Sequence, residues 1–207
     1  FSINGIIGTF GASVDKPRRA VVPARGLTMD IILHPGAHRT GSTSFQNYMR
    51  ASAERLDGQS VGFWGPWRTR SGLLHGLVHR PDSVAAAQRA QGRVRMNLTM
   101  AARRDIAALV VSDENLIGSP RECLRTATLY PRIGERMARA AAGFGTITRI
   151  GLQIRSLEVW WASVLAYLVP RGEAVPGAAA LAALAAQPRS WRQVITDLSC
   201  ACPEAEL

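Results

Sequence analysis

The chain has 207 residues, enough for one domain with a sizeable core, and its 47% apolar content is that of a globular protein. The formal charge of +10 invites a nucleic-acid reading, but the basic residues are spread along the chain and no zinc-finger spacing, RNP-like aromatic run or basic zipper accompanies them. The three cysteines, Cys123, Cys200 and Cys202, make no metal pattern and read as reduced thiols of a cytoplasmic protein.

Residues 1–28 look foreign to the rest of the chain. Gly5, Gly8 and Gly11 interrupt the apolar stretch, and Lys16, Arg18, Arg19 and Arg25 come after it, the reverse of a signal peptide. The segment is expected to be disordered or a non-native extension, with the folded domain over 29–207. Met29 to Leu33 is an apolar run of strand length. It leads into HPGAHRTGSTSFQ (His34 to Gln46), whose second half opens a helical pattern with Phe45, Met49 and Leu56 on one face. Ser60 to Trp67 reads as a short strand and a Gly-Pro turn. Trp64 and Trp67 are candidates for an acceptor pocket or for core packing. Gly72 to His79 is expected as a short helix. His75 and His79 share one face without a third ligand, an ordinary half-buried pair. Asp82 is placed as the cap of a helix over Ser83 to Arg93, and Asn97 to Leu109 is expected to be helical.

Ala108 to Val111 is an apolar strand ending in Ser112-Asp113-Glu114-Asn115. Pro120 to Ala142 is amphipathic and expected to break at Tyr130-Pro131. Thr146 to Arg155 is rich in β-branched residues and reads as a strand ending at Arg155. The next helix contains Ser163 and is too short to span a membrane. Ala178 to Ala186 and Trp191 to Leu198 are the last helices, and Pro203 to Leu207 reads as the start of a further strand.

Strand, glycine loop and helix start form an anion site: the first-turn N–H groups have no internal partners and sit at the positive end of the helix dipole. Gly36, Gly41 and Thr43 keep the spacing of a nucleotide-binding P-loop, but Ser42 stands where that loop has lysine. The cation is Arg39 instead. This loop resembles the 5′-phosphosulfate loop of the bacterial branch of the PAPS-dependent sulfotransferases (PAPS, 3′-phosphoadenosine-5′-phosphosulfate). The R-x7-S pair Arg155/Ser163 is similar to that family's 3′-phosphate motif, and S-x-E-N at Ser112 to Asn115 is similar to its base-bearing strand end. The resemblance runs from about Met29 to at least Val169, most of the chain.

It implies an α/β fold with a central, mainly parallel sheet, the P-loop NTPase-like sulfotransferase fold. It implies transfer of a sulfuryl group from PAPS to a hydroxyl or amine acceptor, releasing PAP, without a metal. Arg39, Thr40, Gly41, Ser42 and Thr43 would hold the phosphosulfate, and Arg155 and Ser163 the 3′-phosphate. Arg39 and Glu114 would be catalytic, Glu114 as general base. Asp113 is its nearest competitor, with a capping role as its other use, and a histidine such as His75 is a further one. A small-molecule, carbohydrate or lipid acceptor is expected, with no nucleic acid and no membrane span. The family's closing Gly-rich segment is not found after Trp191, so the fold is expected to be C-terminally incomplete. The other classes in play are a P-loop kinase or NTPase, with Asp113 on Mg²⁺, and a truncated non-catalytic nucleotide-binding module.

Overall fold

The structure, a computed structural model, describes residues 29–207. The expectation for residues 1–28 lies outside the described residues. Four parallel strands form one sheet in the order β2-β3-β1-β4: β1 Asp30–His34, β2 Val61–Trp64, β3 Ala108–Ser112 and β4 Arg149–Ile150. Helices flank it, so the fold is α/β with a parallel sheet. β1 and β3 pair over their whole length, from Asp30 beside Ala108 to His34 beside Ser112. β1 turns Leu33, and β3 turns Leu109 and Val111, into the core with no exposure, while Ile32 and Val110 are only half-buried.

The order of the strands positions the site. The connection from β1 crosses β3 to reach β2 and contains α1 (Ser42–Ala51) and α2 (Ala53–Asp57). Between β2 and β3 come α3 (Pro66–Arg68) and α4 (Val84–Ala102). The connection from β3 runs the other way, past β1 to β4, through α5 (Pro120–Thr126) and α6 (Ile133–Phe144). Right-handed crossovers in opposite directions leave a sheet on opposite faces. The loops after β1 and β3 therefore part at the carboxyl ends of two adjacent strands, which opens a crevice there. After β4 come α7 (Leu157–Leu168), α8 (Ala178–Ala186) and α9 (Trp191–Ala201), and α6 packs on both α4 and α9.

Several elements differ from their expected form. Only Arg149–Ile150 of the expected strand Thr146 to Arg155 is strand. The flanking residues still track β1, Thr148 N–H donating to Ile31 O at 2.9 Å and Gly151 N–H to Leu33 O at 2.8 Å. Contact continues past β1, Gln153 N–H donating to Gly36 O at 2.7 Å and its carbonyl accepting from Ala37 N–H at 3.0 Å, but the regular strand ends at Ile150, so Arg155 lies five residues beyond it. The helices expected at Ser83 to Arg93 and Asn97 to Leu109 are one helix, α4. Gly92 is tolerated inside it, and Ser83, not Asp82, caps it by accepting from Ala86 N–H at 3.1 Å. Residues 103–107 are not helical. Gly72 to His79 is not a helix: a π-type turn over Thr69–Leu73 breaks at Gly72 (φ 103°) and continues as turns, with both His75 and His79 exposed. The break between α5 and α6 falls over residues 127–132, around Tyr130-Pro131 as expected. Near the C-terminus Glu206 makes one parallel bridge to Arg149 beside β4. Among the described residues no helix is long and apolar enough to cross a membrane.

The β1–β3 pair carries the core. Leu109→Ala is expected to cost about 2–5 kcal/mol, the range for a buried leucine truncated in a packed interior, read from urea unfolding as a lower midpoint at unchanged slope.

Candidate functional site

A cleft of about 940 Å³ lies over the carboxyl ends of the strands. Its floor is the loop from Pro35 to Gly41, and two glycines give that loop its shape. Gly36 has φ 102°, a conformation that strains any residue with a side chain, and a Cβ there would press on Glu114 Cγ at 3.1 Å, so glycine suits the close passage of the loop by Glu114. Gly41, also at φ 102°, precedes α1 and faces open space. No side chain caps α1. Its first N–H groups are left for a ligand, with Thr43 beside them on the cleft wall.

Polar side chains fasten the loop from below. Gln46 Nε2 donates to Ser112 Oγ at 3.0 Å, which leaves the hydroxyl proton for His34 Nδ1 at 2.7 Å. Burial pushes the His34 imidazole below its ordinary pKa, so it stays neutral in this pairing. His38 is held twice by the Tyr130 hydroxyl, through its backbone N–H and through Nδ1, each at 3.0 Å. Its carbonyl accepts from Trp160 Nε1 at 2.8 Å. Burial lowers the His38 pKa to about 4. Thr40, which the sequence places among the ligand-binding residues, turns its hydroxyl back onto Ala37 O at 2.7 Å.

The residues of the two phosphate motifs meet on this loop. Arg39 Nε donates to Ser163 Oγ at 3.0 Å, and its guanidinium lies 5.0 Å from the centre of the Tyr167 ring. Arg155 Nη1 donates to Arg39 O at 2.7 Å. The backbone of Arg155 is fixed in turn by Trp191 Nε1, which donates to its carbonyl at 2.6 Å. Among the described residues neither Arg39 nor Arg155 has a carboxylate partner, and both line the cleft.

The two adjacent carboxylates at the end of β3 have different fates. Asp113 is fully buried: Oδ2 accepts from Thr69 at 2.5 Å, and Oδ1 from Arg70 Nη2 at 2.9 Å and from Asn115 N–H at 3.0 Å, capping the 3₁₀ turn Glu114–Leu116. Glu114 lines the cleft. Its Oε1 accepts from Ser42, the residue in the lysine position of the loop, and its Oε2 from Arg70 Nη2 at 2.7 Å. Burial raises the Glu114 pKa, but the Ser42 hydrogen bond, then a backbone N–H bond and the positive charge of Arg70, outweigh it and hold the carboxyl below its ordinary value. His75 does not line this cleft. Arg70 is the site residue that sequence reasoning missed. It sits in a tryptophan- and arginine-rich turn that carries no motif, and only the fold brings it across 43 residues to Asp113.

Seven arginines and a single carboxylate, Glu114, line the cleft, so it is built for an anion. Among the described residues no three His, Cys, Asp or Glu side chains gather as metal ligands. No protein-family model matches this chain, and no curated protein or solved structure matches it significantly.

Asp113 and Glu114 should separate on stability. Asp113→Ala strands the Asn115 N–H and removes the buried acceptor of Thr69 and Arg70, and is expected to cost about 1–3 kcal/mol; Glu114→Gln keeps the shape of the side chain and should cost less, both measured by urea unfolding. His38 gives a pH test. Its folded pKa of about 4 lies below the unfolded value of 6.5, so the unfolded chain binds the extra proton between the two. Stability is then lost as pH falls from about 6.5 towards 4, with a slope contribution of up to about 1.4 kcal/mol per pH unit. In His38→Gln this part of the slope should vanish from stability measured at stepped pH.

Proposed function

We propose that this chain transfers a sulfuryl group from PAPS to a hydroxyl or amine acceptor. The observation that carries the reading is the meeting of three sequence-distant segments on one cleft: the loop at Arg39–Thr43, Glu114 at the end of β3, and Arg155 with Ser163. The donor carries two anionic groups, and the cleft offers cationic or N–H donors for each. The phosphosulfate would lie on the N-terminus of α1, against the N–H groups of Ser42 and Thr43. The 3′-phosphate would lie towards β4, where Arg155 and Ser163 stand. Arg39, hydrogen-bonded to Ser163 through Nε alone, keeps both Nη groups for the ligand and can serve either end.

The acceptor oxygen attacks sulfur in line as the bond from sulfur to the bridging phosphate oxygen breaks. PAP leaves with the negative charge of that oxygen, which the loop N–H groups and Arg39 stabilise. Glu114 takes the acceptor's proton. Its lowered pKa leaves it ionised at neutral pH but a weaker base than a free glutamate, so positioning has to supply most of its effect. Ser42 and Arg70 use two of about four acceptor positions on its carboxylate, leaving the others for the acceptor O–H. Anchoring of the 3′-phosphate turns remote binding energy to orienting the sulfur. The kinase or NTPase reading asks Asp113 to hold Mg²⁺. Thr69, Arg70 and the Asn115 N–H already engage both its oxygens, and Ser42 replaces the lysine.

Three tests decide the reading. PAP should raise the melting temperature, by an amount equivalent to about 2.7 kcal/mol at 100 times Kd, with or without Mg²⁺, and ATP should do less. Arg155→Ala should weaken PAP by ~1.5–3 kcal/mol and adenosine 5′-phosphosulfate, which lacks the 3′-phosphate, far less; calorimetry that finds no heat with millimolar PAP sinks the proposal. Glu114→Gln should leave PAP affinity nearly intact and slow transfer to a hydroxyl by ~10²–10⁴-fold, whereas equal turnover of the two proteins in a single-turnover assay removes Glu114 from the mechanism.

A further inference from the structure

The donor accounts for only half of the cleft. β2 and β4 are the two edges of the sheet, about 14 Å apart at three strand spacings. Arg155 and Ser163 stand at the β4 edge. At the β2 edge a second wall is formed by Phe63, Pro66, Trp67 and Arg68, with Arg50 reaching over from the end of α1. Glu114 comes just after β3, between β2 and β1, so the base of the proposed reaction looks onto this wall.

The wall has two chemical features. Arg50 and Arg68 are positive without a counter-ion: among the described residues neither has a carboxylate partner. Their polar contacts are neutral, Arg50 with Asn47 and Arg68 Nη2 with Asn97 Oδ1 at 3.0 Å. Burial and then the charge of Arg104 push the Arg68 guanidinium down, as expected where positive charge is crowded and unopposed. The other feature is flat apolar surface. Trp67 is 82% exposed, an unusual state for the largest side chain, and Arg50 lies 5.4 Å from its ring centre. Arg68 is set 4.6 Å from the ring centre of Trp64, which is buried, so its position is fixed from beneath.

We infer that the β2 wall is the acceptor subsite and that the acceptor is a ring-bearing hydroxy acid: Trp67 stacks on the ring, Arg50 and Arg68 bind the carboxylate, and the hydroxyl points at Glu114. This rests on the sulfuryl-transfer reading for the role of the hydroxyl, but not for the binding itself. Two kinds of compound share the chemistry, an aryl hydroxy acid and a uronic acid sugar.

The test is calorimetric titration of the full chain, with and without PAP, using 4-hydroxybenzoate against 4-hydroxybenzamide, and methyl β-glucuronide against methyl β-glucoside. At least one acid should bind roughly 10- to 100-fold more tightly than its neutral partner. Arg50→Gln/Arg68→Gln should abolish that preference with PAP affinity unchanged, and Arg50→Lys/Arg68→Lys should keep part of it, which separates loss of charge from loss of fold. Trp67→Ala should weaken acid and neutral partner alike. The acid that shows the preference identifies the source. Equal binding within both pairs overturns the subsite, as does an acid preference that survives the double glutamine variant. If PAP fails to bind but the acid preference appears and depends on the two arginines, the donor assignment fails and the subsite stands.

Discussion

Three aromatic side chains behind the cleft hold its two anion-facing segments in one place. Tyr130, Trp160 and Trp191 pack with ring centres 5.7–6.2 Å apart. Tyr130 and Trp160 have no exposure and Trp191 little. Each sends its single polar atom out of the cluster to the site. Tyr130 and Trp160 take the N–H and carbonyl of His38, and Trp191 takes the carbonyl of Arg155. The apolar bodies supply the burial, and an unmade hydrogen bond at any polar tip would leave a buried group unpaired. Loop and helix are thus fixed by side chains from α7, α9 and the α5–α6 turn, none of which needs to touch a ligand. The high Tyr130 pKa, a result of burial, keeps that hydroxyl a neutral donor and acceptor throughout the physiological range.

A similar division of labour separates the carboxylates. Asp113 and Glu114 are neighbours, alike in chemistry, and both bonded to Arg70. What separates them is alternation along the backbone. Asp113 points into the interior, where Thr69, Arg70 and the Asn115 N–H consume it. Glu114 points into the cleft. Asp113 therefore serves as the fixed counter-charge of Arg70, and Arg70, half exposed, carries that anchoring to Glu114. An anchored cation beside the carboxylate favours its ionised form and lowers its basicity.

How local each signal is decides whether it was legible in the sequence. The β1–loop–α1 unit could be read because its strand, glycines and helix start are consecutive, and β3 because its apolar run ends in polar residues. The convergence of Arg39, Arg155 and Ser163 was legible only through resemblance, since no spacing rule joins residues 124 apart. Arg70 and Tyr130 were illegible as site residues: each is an ordinary turn residue until the sheet order brings its partner to it. The expected strand Thr146 to Arg155 was too long because β-branched composition reports fitness for a sheet and not how far the partner strand runs. The expected break in α4 failed for the opposite reason. Packing of Val94 and Ala90 into the core overrides the cost of Gly92.

Charge shows most clearly how folding creates information that composition lacks. An excess of ten positive charges spread along a chain suggests only affinity for anions. Outside the cleft Arg125, Arg132, Arg139, Arg149 and Arg189 each have a carboxylate partner while others, Arg55, Arg93 and Arg95 among them, have none among the described residues, so the cleft is marked by the gathering of seven arginines in one place and not by pairing alone. Five of the seven arginines that line the cleft have none among the described residues. A paired surface arginine adds little to the field beyond a Debye length of ~10 Å. Unpaired arginines on the walls of a low-dielectric cleft reinforce one another and draw anions in. Because they stand at both edges of the sheet, with α1 and Glu114 between, the field has two centres. A ligand with one anionic group satisfies one of them, and two ligands, or one with well-separated charges, are needed to satisfy both. On the proposed function those two ligands are the donor and the acceptor, brought together over the middle of the sheet between the uncapped start of α1 and Glu114.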